Sequence, residues 1–333
     1  MKGKYFKWVY YIIILFVLLI LSAWISVSFG EIDFSLIELF QIMKSKTGIE
    51  YTILNNIRIP RILLGLAVGG ALSLSGVILQ GIYRNPLVEP YTMGISGGAA
   101  LGVALAIVFQ LSSVFGSFFL PVSGFIGAAI TIFLVYFLSI RNNHLNINKM
   151  LLIGVMVSFI ASSAVMFLMS TTSTENVHSI VFWIMGSLDT SNQFLIRIVT
   201  ISSISGLVLT YLFANQLNAL RLGESKAKHL GVNTNLTIRV LFIVASLLTG
   251  ISVSVVGVIG FVGLIVPHML RMVFGTDYRI LLITSFLGGG IFIILCDLVS
   301  RTIISPNELP IGVITGMIGG VIFIFALSKS KIN

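Results

Sequence analysis

Charged and chemically reactive residues are scarce in this chain. Of 333 residues, 9% are charged, 11 are acidic and one is a cysteine. A single thiol, Cys296 in an apolar run, can form neither an internal disulfide nor a cysteine metal cluster, and it is expected to pack as a small hydrophobe. No G-x-x-x-x-G-K-[ST] occurs, so no loop here can cradle the phosphates of a nucleotide. His144, His178 and His229 fall in loops without metal-ligand spacing, which predicts neither a metal site nor a cofactor. Ionisable residues inside the apolar runs are almost absent. That argues against a proton-driven carrier, because nothing at mid-depth could take up a proton. The exception, Asp297, lies near a span end and is placed to pair with Arg301 four residues on. No low-complexity tract or long linker interrupts the chain, so residues 1–333 read as a single membrane domain.

What the sequence does have is apolar bulk: 57% hydrophobic residues and a mean hydropathy of +1.08. This is the composition of an all-α polytopic membrane protein. At about twenty residues per crossing, spans fall near 8–27, 59–82, 92–110, 117–139, 149–170, 194–213, 236–257, 260–273, 279–299 and 309–327. The first is long for a signal-peptide core and reads as an uncleaved helix; the eighth is visibly short. With this alternation, fourteen of the 20 Lys and Arg residues fall on one side and six on the other. The basic side is cytoplasmic by the positive-inside rule, with both termini there. The net charge of +9 therefore reflects topology and contact with anionic lipid rather than nucleic acid. On the outer side, Ser28 to Ile57 and Thr171 to Gln193 contain apolar residues that suggest short surface helices.

The longest soluble-looking segment of the C-terminal two thirds is Gln216 to Arg239, QLNALRLGESKAKHLGVNTNLTIR. Gly223 splits it into two helical pieces. In the second, Glu224 sits in the first turn, Lys226, Lys228 and His229 near the end, and Gly231 at the C-terminal cap. Leu217, Leu220, Ala227 and Leu230 share one arc at 100° per residue. Two readings of that arc are open: a helix capping its own bundle or the membrane surface, and a docking site for a partner.

Flanking this loop, two broken, Gly- and Pro-marked segments correspond in outline: GIYRNPLVEPYTMGISGGAALG after the second span and GVIGFVGLIVPHML after the seventh. Such pairs suggest inverted-topology repeats. Small residues at Gly65, Gly69, Ser73, Ser75 and Gly76, and again at Gly312, Gly316 and Gly320, predict close backbone approach within the bundle. Gly94-Ile95-Ser96-Gly97 has the G-x-S-G form of intramembrane serine proteases, with His268 as a candidate base.

Several stretches together resemble one family, the FecCD-type permeases of binding-protein-dependent ABC importers for ferric siderophores, haem and cobalamin. They are Arg58-Ile59-Pro60-Arg61; Gly81-Ile82-Tyr83-Arg84-Asn85-Pro86-Leu87 with Glu89-Pro90; Gly260-Phe261-Val262-Gly263-Leu264-Ile265-Val266-Pro267-His268 with Arg271; and Glu308-Leu309-Pro310-Ile311-Gly312. The resemblance runs from Ile57 onward. Gly319-Gly320 departs from it, standing where Gly-Ala-Pro is common.

The resemblance implies a ten-helix permease subunit in the cytoplasmic membrane of a prokaryote, paired with a second copy or a close homologue. Two ATPase subunits would lie beneath it and an extracytoplasmic substrate-binding protein above, so ATP hydrolysis resides on a partner and this chain is not itself an enzyme. It implies that the Gln216 loop, about 216–235, matches the family's coupling helices, with Leu220, Glu224, Ala227, Leu230 and Gly231 at the ATPase. Helices five and ten would line the pathway through Met156, Ser158, Ser162, Ser163, Thr315 and Met317. Arg58, Arg61 and Arg301 would receive acidic residues of the binding protein. The cargo implied is an iron–siderophore complex, haem or cobalamin. Against this stand a secondary transporter or channel and an intramembrane serine protease.

Overall fold

The computed structural model describes residues 2–329 except Glu31, Ser117, Asn142, Asn143 and Ser191. Of the residues weighed above, Glu31 and Lys331 lie outside the described residues, as do the side chains of Lys2, Lys4, Arg141, His144 and Lys329.

Each expected span holds one helix. The chain opens with α1 (Lys2–Ser28) and two short helices, α2 (Leu36–Ser45) and α3 (Ile49–Ile53). A π turn over Leu54–Arg58 then feeds α4 (Ile59–Tyr83). A 3-10 turn at Pro90–Met93 precedes α5 (Ile95–Val108), which is followed by α6 (Leu111–Phe115), α7 (Phe119–Ser139) and α8 (Ile147–Thr171). Between α7 and α8, Ile140–Arg141 pairs with His144–Leu145 in a two-residue antiparallel ladder. The second half runs α9 (Thr174–Met185), α10 (Gln193–Leu212), α11 (Ala214–Leu220), α12 (Glu224–His229), α13 (Thr234–Val256), α14 (Val262–Phe274), α15 (Tyr278–Thr302) and α16 (Ile311–Lys329).

The short helices expected in the two outer segments are α2, α3 and α9. A capping box starts α2: the Ser35 N–H donates to the Glu38 carboxylate at 2.8 Å, and the Glu38 N–H returns to the Ser35 hydroxyl at 3.3 Å. The Ser35 N–H bond first, and then the Ser35 hydroxyl, which also donates to this carboxylate at 2.8 Å, hold Glu38 below its ordinary carboxylate range.

The bundle is organised around α4, 83% of whose apolar window is buried, against 22% for α1 and 17% for α8. It packs on α10, α13, α14 and α15. Missing side chains make this possible. A Cβ added to Gly69 would stand 2.1 Å from the Gly289 carbonyl oxygen, one on Gly289 would stand 2.1 Å from that of Gly69, and one on Gly76 would stand 1.8 Å from that of Gly263. The close approach expected at Gly69 and Gly76 is thus realised, by backbone contact with α15 and α14. On α16 it is realised at Gly312 alone; nothing lies within 4 Å of a Cβ built on Gly316 or Gly320.

One length expectation is corrected. Sequence marks only the eighth span as short, yet α5 has 14 residues and α14 has 13. At 1.5 Å per residue each is about 20 Å long, less than the roughly 30 Å hydrocarbon core. Both start in mid-bundle, after a residue of positive φ: Gly94 (79°) before α5 and Phe261 (69°) before α14. The two broken segments meet there. Tyr91 donates its hydroxyl to the Ile259 carbonyl at 2.7 Å and accepts the Ile259 N–H at 3.1 Å.

This meeting overturns the expectation of a mid-depth free of ionisable groups. Gly263 opposes both Pro90 and the Leu72 carbonyl, near the middle of α4, and the neighbouring Glu89 carboxylate lies on the side of the Phe261 N–H. The spans 59–82 and 92–110 place Glu89 in the inner loop between them. The chain instead carries it back into the bundle, to the amino end of α14, where a helix dipole favours an anion.

Candidate functional site

At the end of the bundle where α4 begins, the three arginines singled out from sequence come together, all buried: Arg58 4%, Arg61 5% and Arg301 8% exposed. Arg61 makes a bidentate pair with Glu308 at 2.8 and 2.7 Å and an ion pair with Asp297 at 3.2 Å. The other Asp297 oxygen accepts from Arg301 Nε at 3.0 Å, so the expected i,i+4 pair forms and Asp297 also bridges two cations. Arg301 reaches on to the Ser26 hydroxyl at 2.9 Å, tying α15 to α1. Arg58 donates to the backbone carbonyls of Val27, Ser28 and Ile32 and lies over the Phe34 ring, 4.6 Å from its centroid. Gly30 lets it do so: an added Cβ would meet the guanidinium at 2.5 Å.

The charges of the three arginines are engaged inside the chain, and of the bridging acids only Glu308, 44% exposed in its side chain, faces the outside. Sequence reasoning missed Glu308 and Ser26 as partners. Separations of 247 and 275 residues leave no local signal. The three arginines and Glu308 line a cavity of about 150 Å³.

At the opposite end, Gly223 (φ 108°) separates α11 from α12 as the sequence predicts. The C-terminus of α12 is a Schellman motif: Gly231 (φ 83°) donates to the Lys228 carbonyl at 2.9 Å, and Val232 donates to that of Ala227 at 3.0 Å. Glu224 is held by Lys228 at 3.0 Å and by the Thr234 hydroxyl at 3.3 Å. The apolar arc divides between the two readings: Leu217, Leu220 and Ala227 are buried in their own bundle, and Leu230 points out, 64% exposed. Nothing beyond its chain neighbours lies within 4 Å of a Cβ built on Gly231, so the turn stands clear.

The six pathway candidates divide. Met156, Ser162 and Ser163 on α8 and Met317 on α16 are exposed, and Ser158 turns to Gly94 and Gly97 of α5. Thr315 is fully buried and bonds back to the Gly312 carbonyl at 3.2 Å, so it does not face an open surface. Within one chain α8 and α16 each touch α9. Ser96 and His268 belong to different environments. The helix of Ser96, α5, packs on α7 and α8, whereas His268 lies edge-on to Phe323, 5.8 Å between centroids, on the α16 side of α14. Among the described residues no group of three His, Cys, Asp or Glu side chains is arranged to hold a metal ion.

Comparison with known proteins gives this arrangement a lineage. The FecCD transport family matches residues 18–329. The chain is 36% identical over 319 residues to the hemin transport system permease protein HmuU of Yersinia pestis, covering 95% of each chain. It is 38% identical to the cobalamin import system permease protein BtuC of Halobacterium salinarum, over 84% of this chain and 74% of that one. A solved inward-facing structure of a metal-chelate type ABC transporter superposes with a TM-score of 0.85 at 34% identity, covering 96% of this chain and 99% of the other. Likeness of this extent, over helices that the sequence itself marks as spans, makes the chain a member of the FecCD transport family, a multi-pass membrane permease of the ABC importer type.

Proposed function

We propose that this chain imports a metal chelate, an iron–siderophore complex, haem or cobalamin, across the cytoplasmic membrane, as one of two permease subunits driven by a separate pair of ATPases. The observation that carries the reading is the α12 turn. A six-residue helix closed by a Schellman motif, seated on buried Leu220 and Ala227, presents Leu230 and Gly231 clear of its own bundle. A short rigid projection fits a groove on another protein, and in this reading the ATPase supplies the groove. The loop end is cytoplasmic and both termini lie there. The second permease copy covers the side of α16 where Gly316, Met317 and Gly320 are uncovered. The binding protein docks over the cavity of Arg58, Arg61 and Arg301. The cargo class comes from the relatives' names, and the exposed pathway candidates carry no ligand signature of their own.

Co-purification of ATPase subunits with the tagged chain, followed by vanadate-sensitive uptake in proteoliposomes, tests the reading. Vanadate-insensitive uptake by the chain alone would replace it with a secondary carrier, which the mid-depth carboxylate of Glu89 keeps in view.

A further inference from the structure

A second basic site lies at the loop end, beside Gly223 at the start of α12, and it is built by a proline. Pro267 inside α14 has no N–H to give the carbonyl of Gly263, four residues back. Gln80 of α4 fills the gap, its Nε2 donating to that carbonyl at 3.1 Å. Its amide orientation is thereby set, and its oxygen accepts Arg271 Nη2 at 2.8 Å. Arg271 is aimed into a cavity of about 500 Å³ that Arg84, Arg221 and His268 also line. Arg221 is fixed by the Thr276 hydroxyl and carbonyl. His268 Nε2 is buried with no hydrogen-bond partner.

Among the described residues no carboxylate lines this cavity. The nearest acids of the loop end are engaged elsewhere, Glu224 with Lys228 and Thr234, and Asp277 with Asn218 and the Arg279 N–H. Three guanidinium groups around one concavity repel one another, and an anion between them relieves that repulsion. Met272, at the end of α14, lines the cavity and is 54% exposed, and Val273 beside it in the chain is 63% exposed. The cavity lies where two membrane spans end, Arg84 capping α4 and Arg271 in the last turn of α14.

We propose that this cavity binds a phosphate group, carried by an anionic phospholipid of the adjoining leaflet, with the headgroup among Arg84, Arg221, Arg271 and His268 and an acyl chain along Met272 and Val273. Guanidinium forks match phosphate oxygens, and basic pockets between spans suit lipid headgroups. Free phosphate shares the headgroup chemistry but would leave the apolar strip uncovered.

Native mass spectrometry and thermal unfolding of the detergent-purified chain, with added phosphatidylglycerol, phosphatidylcholine or inorganic phosphate, test this. The expected result is retention of phosphatidylglycerol and a raised Tm that phosphatidylcholine does not produce, with Arg84→Gln and Arg271→Gln each weakening binding about fivefold. Arg84 is exposed, so its variant folds even if Arg271→Gln does not. Arg279→Gln, which alters a side chain bonded to Asn215 outside the cavity, leaves binding unchanged. Displacement of the lipid by inorganic phosphate, with the same rise in Tm, supports the phosphate site and assigns it to the free anion. Equal binding of both lipids by wild type and Arg84→Gln, or shielding of Arg84 from chemical modification only when ATPase subunits are added, overturns the proposal.

Discussion

Asp297 and Arg61 stand 236 residues apart in sequence and 3.2 Å apart in space, at the crossing of α15 and α4. Because Asp297 also holds Arg301, one carboxylate sets the positions of two buried cations. Removing its charge leaves both under-compensated. Asp297→Asn is predicted to destabilise the fold by about 3–5 kcal/mol, as expected when one partner of a buried ion pair is lost. Thermal unfolding in detergent measures this, and an unchanged Tm would show that the pairs contribute nothing.

Glu308 competes for the charge that a docking protein would use. If acids of the binding protein approach the Arg58, Arg61 and Arg301 cavity, Glu308→Gln releases Arg61 from its bidentate partner, and affinity for the binding protein should rise. Arg61→Met should abolish it, and added salt should weaken docking of the unmutated protein. Binding measured on immobilised permease decides; weaker binding by Glu308→Gln would show that Glu308 itself makes the contact.

Gly231 tests the coupling turn with little ambiguity. Its φ of 83° costs a β-branched residue about 1 kcal/mol or more, and the free space around it removes steric clash as a cause. Gly231→Val is expected to insert normally but fail to transport, while Gly231→Asn, which tolerates the left-handed region, retains part of the activity. Full uptake by Gly231→Val would remove the turn from the coupling mechanism.

Glu89 decides between ATP and a proton gradient. A glutamine matches the carboxylate in size and can face the Phe261 N–H as it does, so Glu89→Gln keeps the shape and deletes the titration. ATP-driven uptake should survive both this change and an uncoupler at constant ATP. Collapse of uptake in Glu89→Gln with an unaltered Tm would instead identify Glu89 as a proton carrier.

Much of this was legible in the sequence because the membrane enforces a simple rule: a span must be long and apolar. The helices that fill the expected spans, Gly231 at the end of α12, and the Asp297–Arg301 pair all follow from local pattern. What escaped was tertiary. The depth of Glu89 depends on where the chain turns back after Tyr83, and an apolar run does not reveal that. Gly76 announces a close neighbour without naming Gly263. The Leu217, Leu220 and Ala227 arc is amphipathic in sequence, but only the fold shows that its apolar side is already occupied. The partnership of Gln80 with Arg271 depends on a carbonyl freed by Pro267 on another helix.

The mutual contact of Gly69 and Gly289 bears on how the subunit can move. Backbones in contact without intervening side chains cannot slide without clashing, so α4 and α15 act mechanically as one strut. Any change of shape during a transport cycle must then be taken up elsewhere, and the interrupted segments at Gly94 and Phe261 are the natural pivots. Spin labels on α4 and α15 are predicted to hold a constant separation through ATP turnover, while a label on α16 changes its distance to both; a changing α4–α15 distance would show that the strut is not rigid.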